Sequence, residues 1–231
     1  MDTSNNDFWV STSDLMAGLM IIFLFIAIAY MTEMKSIIDK VIYVTEGYQD
    51  TEESLYNELM KEFKNDLEDW NAYIDSKTLS IIFKEPDVLF EKGEYSIKPL
   101  FKNILDEFFP RYASVLINER FNNDILAVRI EGHTSSEWKK ETTEKEAFLN
   151  NMTLSQLRAS NVLEHTLETN LDGSYDWIRN RLQAVGFSSS KLKHYENGLE
   201  NRDLSRRVEF KVVTNSQERL YDLFRLTSKK V

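Results

Sequence analysis

Residues 15–31 read LMAGLMIIFLFIAIAYM, a run without a single charged side chain that follows Asp14 directly. A helix from Phe8 to Met31 would be about 36 Å long at about 1.5 Å per residue, and the hydrocarbon core of a bilayer is about 30 Å thick. The run therefore predicts one N-terminal transmembrane helix. Together with a short tail before it, this helix occupies residues 1–31.

Asp14 is the only charged residue between Phe8 and Tyr30. A carboxylate at membrane depth costs about 2.5–3.5 kcal/mol on insertion scales, and such residues commonly mark ion or proton pathways. The alternative is a helix N-cap, because Ser, Thr and Asp precede the apolar run in residues 11–14. The residues near Asp14 favour an ion pathway over a helix cap. Small side chains on the same helical face would let a partner helix approach the carboxylate closely. This face carries Asp14, Ala17, Gly18, Ile21, Phe25 and Ile28.

Composition excludes several other classes of protein. The first seven residues contain no Lys or Arg, which argues against a secretory signal peptide. The net charge of −10 and the lack of a basic stripe argue against nucleic-acid binding. The chain has no cysteine, which excludes disulfides, a thiol nucleophile and cysteine-based zinc sites.

Residues 32–77 form a predicted amphipathic helical linker. Apolar side chains recur every three or four positions, and Gly47 marks an expected break. Two interpretations remain open, a helix packed on its own domain and a two-stranded coil or partner-binding helix. The stripe consists of Leu55, Leu59, Phe63, Leu67, Trp70 and Ile74.

Residues 78–214 change to an alternation of strands and helices. Strands are predicted at 79–83, 125–130 and 208–213, and helices at 97–117 with an interruption at Pro110, at 153–168 and near 174–183. This order predicts an α/β (α+β) sandwich with helices on one face of a mixed sheet. A final helix is expected within residues 215–231.

Four motifs in this region resemble the OmpA-like peptidoglycan-binding domain. They are LFEKG at 89–93 with IKP at 97–99, IEGHT at 130–134, NMTLSQLRA at 151–159 and RRVE at 206–209. The resemblance implies that Arg158 is a principal ligand of a stem-peptide carboxylate. A guanidinium suits this role because it binds a carboxylate bidentately and stays charged.

The same resemblance implies further site residues, namely Thr134, Ser135, Asn151 and Leu154. The family usually has an aspartate at the position of Ser135, which contacts the ammonium and amides of the stem peptide. A serine brings no charge, and the next two residues, Ser136 and Glu137, are candidates to take its place. Asn150 and Ser205 also depart from the family pattern.

The three histidines have no mutual metal-ligand spacing. His133 and Glu137 together could supply only two ligands, whereas a catalytic zinc site needs at least three from the protein. We therefore expect no metal or cofactor. No phosphate-binding loop or serine–histidine–aspartate order is present, and we expect no enzymatic activity. His133 is interpreted as a framework residue of the Gly-His-Thr turn.

The whole layout resembles the B subunits of ion-driven stator motors. Phe8 and Trp9 precede Asp14 as aromatic residues do in flagellar members, but Leu15 replaces their usual phenylalanine and the tail is acidic. The resemblance is therefore greater to non-flagellar members that act in anti-phage defence. It implies that Asp14 carries a proton and that a dimer of this chain lies inside a pentamer of a larger A subunit. It also implies that the chain is in the bacterial inner membrane, with its N-terminus in the cytoplasm and its wall-bound domain in the periplasm. The alternatives are a flagellar-type stator subunit and a passive envelope anchor.

Overall fold

A computed structural model describes residues 3–84, 89–91, 93–139, 141–169 and 173–216. The chain divides into two compact units between Tyr48 and Gln49. The second unit thus begins well before residue 78, where the sequence predicted the domain boundary. The predicted C-terminal helix at 215–231 lies almost entirely outside the described residues.

The first unit contains the N-terminal part of helix α1, which runs from Thr3 to Phe63. Within it, residues Thr12–Asp39 are long and apolar enough to cross a membrane, and their large apolar side chains are exposed in the isolated chain. Among the residues that the structure describes, this is the one helix long and apolar enough to span a membrane. The interpretation of Asp14 as an N-cap is wrong, because the helix begins eleven residues earlier.

The predicted break at Gly47 is also wrong, since α1 continues through this residue. One glycine in a helix interior costs only about 1 kcal/mol relative to alanine, which a helix of this length tolerates.

The last turns of α1 belong to the second unit and pack into its core. Leu55, Leu59 and Phe63 are fully or almost fully buried there. Of the two interpretations of the apolar stripe, the helix packed on its own domain is confirmed for these residues. A helix has unpaired carbonyl groups at its C-terminal end, and here Nη2 of Arg111 donates to the carbonyl oxygen of Glu62 at 2.9 Å.

The helix therefore ends at Phe63 and not near Lys77 as predicted. Turns follow, Asn71 has a positive φ of 48°, and the chain then enters a strand. Beyond α1, the elements are β1 (Ala72–Asp75), β2 (Ser80–Lys84), α2 (Pro99–Ile117), β3 (Ile125–His133), α3 (Glu144–Glu168), α4 (Tyr175–Arg179), β4 (Leu182–Gly186), α5 (Arg202–Ser205) and β5 (Arg207–Thr214).

The strands form one mixed sheet in the order β1-β2-β5-β3-β4. Only β3 and β4 pair in parallel, and the other neighbours are antiparallel. The predicted α/β architecture and the three predicted strands are confirmed. Two strands, β1 and β4, were not predicted.

Three predicted helices differ from the observed ones. Pro110 lies inside α2 without interrupting it, because the buried face of that helix outweighs the cost of about 3 kcal/mol for an interior proline. The helix predicted from Thr153 begins at Glu144, where Thr143 and Glu146 form a capping box. The helix predicted near 174–183 is only α4, and β4 follows it.

The core lies between α2, α3 and the end of α1 on one side and one face of the sheet on the other. Phe108 is at its centre, and its ring centroid lies 5.0–6.0 Å from those of Phe63, Trp70, Phe83, Tyr112 and Phe210. Side chains alternate along a strand, so β3 and β5 present their other residues to the opposite face.

Candidate functional site

A groove of about 490 Å³ opens where β3 ends beside α3. It contains all five residues that the resemblance predicted for peptidoglycan, namely Thr134, Ser135, Asn151, Leu154 and Arg158. It also contains Glu137, which the sequence offered as a substitute for the family's aspartate, and four residues outside that prediction, which are Gly93, Trp138, Lys139 and Arg206.

Close contact between the sheet and α3 positions the segments that line this groove. A Cβ atom on Gly132 would collide with the backbone carbonyl oxygen of Ser155, and one on Gly186 would lie 2.6 Å from the backbone nitrogen of Gln156. Only glycine at both positions lets β3 and β4 approach the helix this closely. This contact places the residues after β3 beside the inner face of α3.

Arg158 is held in position before any ligand arrives. Its Nε donates to the carbonyl oxygen of Glu94 at 2.8 Å, and its Nη2 lies 3.4 Å from the carbonyl oxygen of Glu91. The guanidinium carbon also lies 4.8 Å from the ring centroid of Phe90. The side chain is buried and lines the groove. These contacts fix the plane of the guanidinium, so less side-chain entropy is lost when it binds an anion.

Thr134 and Ser135 line the same groove and are both buried. The backbone nitrogen of Thr134 donates to the carbonyl oxygen of Ser188 at 3.0 Å. Its side-chain Oγ1 is buried and has no hydrogen-bond partner among the described residues. A buried hydroxyl without a partner costs about 1–3 kcal/mol, which a ligand that bonds to it would recover.

Asn151 organises the loop that follows these hydroxyls. Its Nδ2 donates to the carbonyl oxygens of Ser135 and Glu137, each at 3.2 Å. The next residue along, Ser136, is bound by Glu200, whose carboxylate accepts from the backbone nitrogen at 3.0 Å and from Oγ at 2.5 Å. The loop is therefore fixed at three successive residues.

The groove has more charged residues than the sequence predicted. Lys139 and Arg206 add to Arg158, and Arg206 itself lies 2.6 Å from a carboxylate oxygen of Asp203. Arg206 could have been found from the paired arginines of the fourth motif. No sequence motif pointed to Trp138 and Lys139, because their position in the groove depends on the path of the loop.

A buried polar cluster lies on the sheet face opposite the core. The strand register sets Glu131 opposite Glu209 and His133 opposite Arg207. Nε of Arg207 donates to Oε1 of Glu209 at 2.6 Å, and Nε2 of His133 lies 3.5 and 3.7 Å from oxygens of the two glutamates. His133 also stacks on the ring of Phe187 at 5.0 Å. These contacts hold the buried His133 ring in place within the strand and support its interpretation as a framework residue.

The glutamates and the histidine are the one group among the described residues that could supply three metal ligands, with ligand atoms within 4.8 Å of one another. However, cations already surround the two carboxylates. Burial acts to raise the pKa of Glu131, yet this pKa is lowered because His133, Lys211 and Lys191 stabilise the ionised form. Burial lowers the pKa of His133, which favours its neutral form. The negative charge of the two carboxylates is thus balanced by positively charged groups of the protein itself.

Asp14 lies in the first unit, inside the stretch of α1 that is long enough to span a membrane. Its side chain is exposed on the isolated helix. The small residues Ala17 and Gly18 follow one turn later, and a Cβ atom on Gly18 would meet nothing within 4 Å.

Several solved structures are similar to the chain. A MotB-like protein from Desulfovibrio vulgaris is 22% identical with a TM-score of 0.49, covering 71% of this chain and 91% of that one. The cell wall anchor of the T6SS from Pseudomonas aeruginosa is 21% identical with a TM-score of 0.44, covering 68% and 96%. The periplasmic domain of Helicobacter pylori MotB is 18% identical with a TM-score of 0.42, covering 63% and 83%.

No protein-family model matches the chain. Among curated proteins, it is similar to the Zorya protein ZorB of Escherichia coli strain Crooks. The two are 46% identical over 214 residues, which are 92% of this chain and 90% of the relative. Because this identity extends over almost the whole of both sequences, the chain belongs to the ZorB family of Zorya proteins.

Proposed function

We propose that this chain is the wall-anchored, ion-conducting B subunit of a proton-driven motor in the bacterial inner membrane, and that the motor acts in anti-phage defence. Membership of the ZorB family and the resemblance to stator B subunits support this assignment. One membrane-spanning helix joined to a domain with a cationic groove is the arrangement that such a subunit needs.

Wall binding is assigned to the groove that contains Arg158. The observation that carries this assignment is a buried guanidinium held in place by backbone carbonyls, in a groove that is also lined by Thr134, whose buried hydroxyl has no hydrogen-bond partner among the described residues. A free carboxylate of a peptidoglycan stem peptide fits this pair, because it accepts charge-assisted hydrogen bonds from the arginine and a further one from the hydroxyl. Ser135, Asn151 and Leu154 line the binding site around it.

Ion transport is assigned to Asp14. Against an apolar partner helix, burial would favour the protonated carboxyl group, whereas a hydrated inlet would favour the carboxylate. The membrane potential supplies about 2.3 kcal/mol per charge per 100 mV. That energy is comparable to the insertion cost of about 2.5–3.5 kcal/mol for a charged side chain, so one proton passage can drive one mechanical step.

The partners follow from the same assignment. Two copies of this chain present their membrane helices inside a pentamer of a larger A subunit, with the N-termini in the cytoplasm and the folded domains in the periplasm. Attachment to peptidoglycan through Arg158 keeps the dimer still while the pentamer turns. The small residues beside Asp14 allow the close helix contact that this requires.

The binding assignment is tested with isolated peptidoglycan sacculi. The full-length chain in detergent should co-sediment with sacculi, and Arg158→Ala should abolish co-sedimentation. Arg179→Ala is the matched control, because Arg179 is an exposed arginine that does not line the groove. Equal sedimentation of the two variants would remove Arg158 from the site.

The motor assignment is tested separately in cells that carry the complete defence system. Asp14→Asn should abolish protection from phage while leaving sedimentation with sacculi intact. A passive envelope anchor would need Arg158 and would tolerate Asp14→Asn. Full protection by that variant would therefore reject the motor.

A further inference from the structure

Ser188 is a buried residue whose backbone conformation is unusual for a serine. It is the second residue of a turn from Phe187 to Ser190, which is closed by a hydrogen bond of 3.0 Å from the backbone nitrogen of Ser190 to the carbonyl oxygen of Phe187. Its φ is 51°, in the left-handed region. Glycine, asparagine and aspartate are the usual residues at such a turn position, because other side chains meet steric repulsion there.

The side chain of Ser188 makes a contact that glycine could not make. Its Oγ donates to the carbonyl oxygen of Phe148 at 2.7 Å. Phe148 lies inside α3, where a carbonyl group also accepts the bond of the helical ladder. The hydroxyl of Ser188 is therefore not needed to satisfy the helix, and its contact serves to attach the turn to α3.

The backbone of Ser188 is bonded on both sides as well. Its nitrogen donates to Oγ of Ser155 at 3.0 Å, and its carbonyl oxygen accepts from the backbone nitrogen of Thr134 at 3.0 Å. Ser155 belongs to α3, whereas Thr134 directly follows β3. Ser188 thus joins the end of β3 to α3 through three separate hydrogen bonds, one from its side chain and two from its backbone.

These bonds act on both walls of the groove. Thr134 lines the groove on the side of β3, and Asn151 and Arg158 line it on the side of α3. Ser155 lies between Asn151 and Arg158 along the helix, four and three residues from them, and so belongs to the same helical face. Ser188 itself is not among the residues that line the groove.

We propose that Ser188 is a positioning residue of the wall-binding groove, which holds Thr134 and Arg158 at a fixed separation without touching the ligand. Its hydroxyl attaches the turn to α3, and its carbonyl oxygen holds the backbone of Thr134 at the end of β3. This inference rests on the wall binding proposed above.

A fixed separation favours binding because one ligand has to contact both walls of the groove at the same time. If the walls can move independently, the entropy that is lost when the ligand orders them opposes binding. Removal of the attachment should therefore weaken affinity even though every residue that lines the groove remains.

The test replaces Ser188 by glycine in the full-length chain in detergent. Ser188→Gly removes the hydroxyl but suits the positive φ, so the two effects on the stability of the fold oppose each other. We expect the melting temperature to fall by no more than about 2 °C. The protein concentration for half-maximal co-sedimentation with sacculi should rise about fivefold, which is equivalent to one net hydrogen bond.

Ser189→Gly is the matched control. Ser189 follows in the same turn, makes no side-chain hydrogen bond to the residues that the structure describes, and does not line the groove. Equal affinity of the two variants for sacculi would overturn the inference. A fall in melting temperature of more than about 2 °C that accompanies the loss of affinity would also overturn it, because Ser188 would then act only on the stability of the fold.

Amide hydrogen exchange gives a second measurement that needs no ligand. The amide of Thr134 donates to the carbonyl oxygen of Ser188, so peptides that contain Thr134 should exchange faster in Ser188→Gly than in Ser189→Gly. Equal exchange rates would show that the side chain of Ser188 does not hold the end of β3, and would reject its positioning role.

The outcomes also separate this inference from the proposed function. If the unmodified chain does not co-sediment with sacculi, wall binding itself is wrong. If the unmodified chain co-sediments, Arg158→Ala does not, and Ser188→Gly binds as well as Ser189→Gly, wall binding stands and positioning by Ser188 is rejected.

Discussion

The end of α1 supplies a demanding test of the fold, because the sequence left open whether this stretch packs on its own domain or on a partner. Leu59 is completely buried, between Leu55 and Phe63 on the same helical face. Replacement of a fully buried leucine by alanine costs about 2–5 kcal/mol, and the value rises with the volume of the cavity that remains. Leu59 belongs to the same core as the closely packed rings of Phe63 and Phe108, and a packed core can collapse little, so we expect Leu59→Ala to cost about 3 kcal/mol.

That loss should appear as a lower melting temperature of the folded domain. For a domain of about 150–250 residues, each kcal/mol shifts Tm by about 2–4 °C, so the expected fall is about 6–12 °C. Intrinsic tryptophan fluorescence of the full-length chain in detergent reports it, because Trp70 packs against Phe63 at a centroid distance of 5.9 Å. Asn57→Ala is the control, an exposed substitution two residues away that should stay within about 0.5 kcal/mol.

If Leu59→Ala unfolds at the same temperature as Asn57→Ala, the buried position of this stretch is refuted. The stripe would then be a partner-binding helix, and the domain would begin near residue 78.

Two further predictions concern the strand that leads to the groove. The lowered pKa values of His133 and Glu131 mean that the folded state holds these protons less tightly than the unfolded state, so stability should fall as the pH decreases from about 6.5 to 4. His133→Gln should flatten the upper part of this slope in melting curves recorded across that range, and an unchanged slope would contradict the assignment. Gly132→Ala should cost about 1–3 kcal/mol and weaken sedimentation with sacculi, because the added methyl group pushes β3 away from Ser155. Wild-type binding and stability in this variant would show that the close contact is not required.

The groove could be predicted from sequence because its parts are local motifs. The Gly-His-Thr turn and the motif around Arg158 each specify short stretches of backbone, and the packing of β3 on α3 brings them together. The five residues that the resemblance named line one groove, and their role in binding stays a prediction. The N-terminal capping box of α3 was another local signal, in the residues from Thr143 to Glu146, and it could have been used.

The features that were missed depend on contacts between distant residues. Strand β4 has no clear alternation, and it forms because β3 offers it a parallel partner. The end of α1 depends on Arg111, which is 49 residues away from the Glu62 carbonyl group that it binds. The residues Trp138 and Lys139 enter the groove because of the path of the loop held by Asn151, which no periodicity reveals.

Proton flux through the complete motor tests the central claim most directly. The internal pH of cells that produce both membrane subunits would be followed after an external acid pulse, with Asp14→Asn compared to Asp39→Asn, an exposed aspartate later in the same helix. The account predicts that Asp14→Asn abolishes the acidification and that Asp39→Asn leaves it unchanged. Undiminished acidification in the Asp14→Asn variant would contradict the account.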